Sequence, residues 1–163
     1  MTDFRGLLRA LRREKVRFIV IGGAAATAHG SARLTLDLDV VYSRTPENRR
    51  RLAAAIAPLA PRLRGAPDGL PFVWDESTIR SGLNFSLSTS LGALDLLGEV
   101  AGGGRYQNLG NDTETIHVFG VDCLCVNLDA LIRLKRAAGR RKDLETIAEL
   151  EAIREEREKT GLR

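Results

Sequence analysis

The sequence predicts an α/β (α+β) fold: a mixed β-sheet flanked by helices, with further helices at the C-terminal end. Three observations carry this. Helical apolar stripes and short β-branched runs interleave along the chain, without internal repeats or a long linker. The 163 residues suit one domain spanning 1–163, with a core over about 17–126 and helices over about 127–158. The composition, 44% hydrophobic and 28% charged, is that of a chain that buries a core instead of staying disordered. At this length roughly two thirds of the unfolded chain's surface can be buried, so no disulfide or metal staple is needed.

The elements follow in order. Phe4, Leu7, Leu8 and Leu11 fall at i, i+3, i+4 and i+7, so Asp3–Glu14 is a helix. Arg17–Ile21 is a Val/Ile-rich run, a buried strand that Gly22-Gly23 interrupts. The alanine-rich Ala24–His29 forms a short helix ending at Gly30 and Ser31. Leu36–Tyr42 is a second strand. Pro46 after Thr45 opens a helix that continues over Glu47–Ala57. Pro58–Pro71, with Gly65 and Gly69, is expected to be a loop, and Phe72–Trp74 a short strand. Leu83–Thr89 alternates apolar and polar residues and turns at Leu91-Gly92 into Ala93–Leu97, a hairpin. Gly102-Gly103-Gly104 is a loop. A second hairpin joins Thr115–Phe119 to Val121–Val126 around Gly120. Asn127 caps a helix over Leu128–Ala138, and a highly charged helix runs from about Arg140 to Glu158.

Composition excludes several classes. No apolar run reaches the roughly 20 residues of a membrane helix, so no membrane partner is expected. The N-terminus lacks the apolar stretch of a signal peptide, and a cytoplasmic location follows as the expectation. Cys123 and Cys125 cannot form a disulfide framework or a four-ligand zinc site, and at i, i+2 on a strand they read as packed residues. A net charge of +4 favours an anionic partner such as a nucleotide or nucleic acid. Aromatic residues are only 5% of the chain, which is poor equipment for stacking single-stranded bases.

The chemistry concentrates in Asp37-Leu38-Asp39. Asp is disfavoured in strands, yet two stand here among Leu36, Leu38, Val40 and Val41. Residues i and i+2 of a strand point to one face, about 7 Å apart. Two carboxylates brought to ~4 Å repel by roughly 4 kcal/mol at an effective dielectric of 20, and a divalent cation relieves that repulsion. Asp95 stands in a similar apolar setting, Ala93-Leu94-Asp95-Leu96-Leu97. If its strand neighbours the first, three carboxylates converge, a set suited to two magnesium ions roughly 3.5–4 Å apart. The bland alternative is acids at strand ends facing water. Gly22-Gly23, between a strand and a helix, is either a tight turn or a place where bare backbone N–H groups meet phosphate. It matches neither a Walker A loop nor Gly-x-Gly-x-x-Gly.

An apolar strand, Gly22-Gly23, a short helix and Asp37-Leu38-Asp39 together resemble the polymerase-beta-type nucleotidyltransferase superfamily. The resemblance is to its small bacterial members, minimal nucleotidyltransferases and AbiEii-like toxins of toxin–antitoxin systems. Arg33-Leu34-Thr35-Leu36-Asp37-Leu38-Asp39 matches a run frequent in that group, and Gly92-Ala93-Leu94-Asp95 resembles the setting of its third acid. Leu134-Lys135 and Arg140-Arg141-Lys142-Asp143-Leu144 resemble its C-terminal helical motif, so the likeness spans about 17–150. It implies that Asp37 and Asp39 bind the metals and the nucleotide triphosphate. Asp95 would complete the site and accept a proton, and Gly22 and Gly23 would hold the triphosphate. One departure is Gly23, where many members have Ser and a hydroxyl contact. The other is the absence of a large added domain, which argues against a processive polymerase.

Lys135 ends the buried stripe Leu128, Leu131, Ile132, where it either snorkels to solvent or meets an anion such as a phosphate. Arg33 either neutralises a phosphate or bridges to Asp37 or Asp39. Thr35 either bonds near the metals or fixes its loop. His29 reads as a cap or packing residue, Arg49-Arg50-Arg51 as a solvated helix face, and Lys142 and Asp143 as solvated or locally paired. The functional expectation is transfer of a nucleoside monophosphate from a nucleotide triphosphate to a hydroxyl of RNA, protein or a small molecule. A toxin role would add a cognate antitoxin as partner. Two alternatives are a non-catalytic nucleotide- or RNA-binding module of the same fold and an Asp-x-Asp glycosyltransferase. Sugar-nucleotide turnover against pyrophosphate release separates the last from the first.

Overall fold

The computed structural model describes residues 1–161. Helices α1 (Phe4–Arg13), α2 (Gly22–Ala28), α3 (Pro46–Ile56), α4 (Glu76–Ser81), α5 (Tyr106–Leu109), α6 (Leu128–Ala138) and α7 (Arg141–Lys159) surround one sheet. Its strands are β1 (Phe18–Ile21), β2 (Asp37–Tyr42), β3 (Arg62–Leu63), β4 (Asn84–Thr89), β5 (Gly92–Leu97), β6 (Thr113–Val118) and β7 (Val121–Val126), in the spatial order β3-β4-β5-β2-β1-β7-β6. Two hairpins, β4–β5 and β6–β7, flank the antiparallel pair β1–β2 through parallel pairings, β5 on β2 and β7 on β1. The sheet is therefore mixed, as its pattern predicts.

The two faces of the sheet differ. Leu38, Val40, Leu87, Leu94 and Leu96 project to one face and are fully buried. Residues at the intervening positions, Asp37, Asp39, Ser86 and Asp95, project to the other. Helices α2, α6 and α7 lie over the acidic face, because all three line a cleft with those acids. The apolar face is left to α1, α3 and α4, which contact one another in sequence. They bring Leu7, Leu8, Leu11, Leu52, Ile56 and Ile79 into the core.

Local signals explain most element ends. Asp3, Thr45 and Asn127 accept backbone N–H bonds as N-caps of α1, α3 and α6. Gly139, at φ 64°, closes α6 in the left-handed conformation. The segment expected as loop holds more order than its composition suggests. Ala57–Leu59 is a turn of 3-10 helix, and Arg62–Leu63 pairs with β4 at Ser88 and Leu87. That pairing also corrects the expected strand at Phe72–Trp74. The edge of β4 is already taken by β3, and Phe72–Trp74 joins no strand. Trp74 instead packs edge-on against Phe85, ring centroids 5.5 Å apart. Helices α4 and α5 are additions to the predicted elements, α4 capped by Asp75. Among the described residues no helix is long and apolar enough to cross a membrane.

Candidate active site

Strand register assembles the acids. On parallel neighbours β2 and β5, Asp39 stands opposite Asp95 and Asp37 opposite Ala93. Asp37, Asp39 and Asp95 thus share one face, at the floor of a cleft of about 600 Å³. Asp95 belongs to this group only because β5 pairs with β2, a contact that no local pattern encodes.

Gly22-Gly23 is shaped by these neighbours. Gly22 has φ +65°, and a Cβ there would run into the Asp39 carboxylate. A Cβ at Gly23 would run into Thr35 Oγ1. The glycines therefore admit two side chains as well as baring the backbone. The departure at position 23 acquires a physical reason: Thr35 places its own hydroxyl where a residue-23 side chain would project. Thr35 Oγ1 also donates to Asp37 O at 3.3 Å, tying its loop to the start of β2.

The opposite wall is basic. Lys135 from α6 and Arg140 and Lys142 from the α6–α7 corner line the cleft, with Asp143 behind them. Asp143 is 1% exposed. Its carboxylate accepts from the Arg140 backbone N–H at 3.2 Å and from Arg140 Nε at 2.9 Å, and lies 3.6 Å from Lys135 Nζ. Lys135 thus meets an anion within the protein, and Asp143, expected to be either solvated or locally paired, is paired with its neighbour Arg140 and buried. Burial alone would raise the Asp143 pKa; the hydrogen-bonded Arg140 guanidinium, with Lys135, outweighs it and lowers the pKa.

Asp39 goes the other way. Burial first, then the hydrogen-bonded carboxylate of Asp95 and the charges of Asp95 and Asp37, push its pKa up to about 8, against the opposing charge of Lys135. Crowding of these carboxylates favours the protonated form of Asp39.

Arg33 lines the cleft but does not bridge to Asp37 or Asp39. It reaches α7 instead, 3.2 Å from Glu145 and 3.8 Å from Glu149. His29 caps α2 and is buried, its Nε2 2.8 Å from Val126 O. Burial lowers its pKa. Arg49 is not a solvated side chain: it pairs with Glu76 at 2.9 Å, with side-chain exposure of 14%. Arg64 has no precedent in the sequence pattern. It donates to Asp95 and lies 4.0 Å from Asp37 Oδ2. Its segment has no periodicity from which a site residue could be picked.

The donor set suits a hard divalent cation, since the lining offers carboxylates and no thiol or imidazole. Among the described residues, no three acidic, thiol or imidazole side chains converge into a ready-made ligand cage. Asp95 is turned to Arg64.

No family model matches the sequence, and no curated protein is similar to it by sequence. Among solved structures it is similar to the antibiotic-resistance factor ANT(2'')-Ia, with a TM-score of 0.56 and 17% identity. The match covers 97% of this chain and 90% of that one. At such identity the likeness is one of fold: the mixed sheet with its flanking and C-terminal helices is an architecture shared with that protein.

Proposed function

We propose that the chain is a metal-dependent nucleotidyltransferase. It moves a nucleoside monophosphate from a nucleotide triphosphate to a hydroxyl acceptor. The observation that carries this reading is the facing of Asp39 and Asp95 across β2–β5, with Asp37 on the same face and a basic wall opposite. Asp37, Asp39 and Asp95 would hold magnesium, two ions in this reading. When bound, the ions neutralise charge on the phosphoryl oxygens and acidify the attacking hydroxyl. The acceptor oxygen bonds to the α-phosphorus as the bond to the β-phosphate bridge breaks, and pyrophosphate leaves with the electron pair. Asp95 takes the hydroxyl proton. Lys135, with Arg140 and Lys142, faces the triphosphate as fixed positive charge. Gly22 and Gly23 leave backbone bare beside it, with Arg33 and Thr35 at the rim. In-line transfer needs positioning and charge more than covalent chemistry, which this lining supplies.

Incorporation of label from each α-labelled nucleotide triphosphate, with magnesium, into RNA, protein and small-molecule fractions of a cell extract tests the reading. Label in one fraction names the nucleotide and the acceptor class, and Asp37→Ala, Asp39→Ala abolishes it. Activity retained by that double variant overturns the mechanism. Growth arrest on expression, relieved by a co-expressed partner, tests the toxin–antitoxin assignment.

The engagement of Asp95 by Arg64 favours one second reading, a non-catalytic nucleotide- or RNA-binding module. That reading requires nucleotide affinity to be the same with and without magnesium.

A further inference from the structure

Arg64 follows β3 directly, and its backbone N–H donates to Ser86 O at 2.9 Å. Ser86 is the cross-strand partner of Asp95, and Asp95 of Asp39. A lateral row therefore runs from the middle of the sheet to its edge: Asp39, Asp95, Ser86, Arg64. The guanidinium folds back along that row. Nη1 donates to Leu87 O at 3.1 Å. Nη2 donates to Asp95 Oδ1 and stands 4.0 Å from Asp37 Oδ2. A single tethered cation thus spans two of the three carboxylates that would hold a divalent ion. Its side chain is 32% exposed, so solvent reaches it. The Arg64–Asp95 contact takes up part of the acceptor capacity that Asp95 would offer a cation, at Oδ1.

We propose that Arg64 is a built-in counter-ion that competes with the divalent cation for Asp95 and Asp37. Metal loading then requires the guanidinium to leave Asp95. Arg64 acts through the carboxylates and is a positioning residue. The inference rests on the nucleotidyltransferase reading of this cleft. Its chemical basis is simple: an arginine fork and a divalent cation seek the same carboxylate oxygens, and both cannot occupy them.

Calorimetric titration of the metal-free protein with Mn²⁺ tests it, with no nucleotide present. Arg64→Gln and Arg64→Ala should bind Mn²⁺ more tightly, on the order of tenfold. Arg64→Lys, which keeps the charge, should stay close to wild type. Thermal unfolding confirms that each variant is folded, and R64Q retains a donor for Leu87 O should R64A fail to fold. Affinity unchanged or weakened in folded R64Q overturns the proposal. Asp37→Asn, Asp39→Asn separates the two levels of inference. Mn²⁺ binding that this pair abolishes, but that Arg64 variants do not alter, removes the counter-ion role and leaves the cleft's function standing. Binding absent from wild type and all Arg64 variants removes both. Binding absent from wild type but present in R64Q is the strongest support for competition.

Discussion

Asp39 concentrates the electrostatic problem of this protein in one carboxyl group. The unfolded chain releases its proton near 3.8, whereas the folded protein holds it up to about 8. Between those values the folded state binds a proton that the unfolded state has lost. Stability of the metal-free protein therefore falls as pH rises through this window and levels off above it. Urea denaturation in a chelator at pH 5, 7 and 9 should show that decline for wild type and a flatter profile for Asp39→Asn. Equal slopes in the two proteins would place the titrating group elsewhere.

The corner between α6 and α7 is where an element, and not a residue, builds the site. Gly139 stops α6 by turning left-handed, and Arg140 then caps α7 with its backbone N–H on Asp143. The turn folds Asp143 under the end of α6, against Lys135. Removing a buried carboxylate leaves its cationic partners uncompensated. Asp143→Ala should lower the free energy of unfolding by about 2–4 kcal/mol. Leu144→Ala, at an exposed position on the next residue, should change it by less than about 0.5 kcal/mol. Denaturant titration of both variants checks this, and equal effects would mean that the corner is held by helix packing alone.

Over the whole molecule, one face of the sheet is sealed and the other is half open. The apolar face carries the main core. The acidic face is covered by α2, α6 and α7 around the cleft, while Asn84 and Ser86 of β4 stay exposed beside Asp95. Cys123 and Cys125 are buried free thiols, and burial pushes their pKa values up to about 11 and 12. Neither should react with a thiol reagent at pH 8 while the protein is folded, and both should react in denaturant. Labelling that tracks global unfolding would make β6–β7 part of the cooperative core. Fast labelling of folded protein would show that this hairpin opens separately.

Much of this arrangement is legible in the chain because it depends on local periodicity. A period of two puts Asp37 and Asp39 on one face and Leu38 and Val40 on the other, wherever the strand ends up. A period of 3.6 and the cap at Asn127 define α6 from Leu128 to Ala138. Pairing between distant segments has no such local code. That Asp95 faces Asp39, that Arg33 turns to Glu145 and Glu149, and that Arg64 reaches Asp95 each depend on which element lies beside which. Local pattern in the chain was enough for most of the elements, their inward faces and the acidic residues to watch, but not for β3, α4 or α5. The tertiary structure alone decided which charges meet, because register and helix docking are chosen by burial of the whole core, not by the residues that the choice brings into contact.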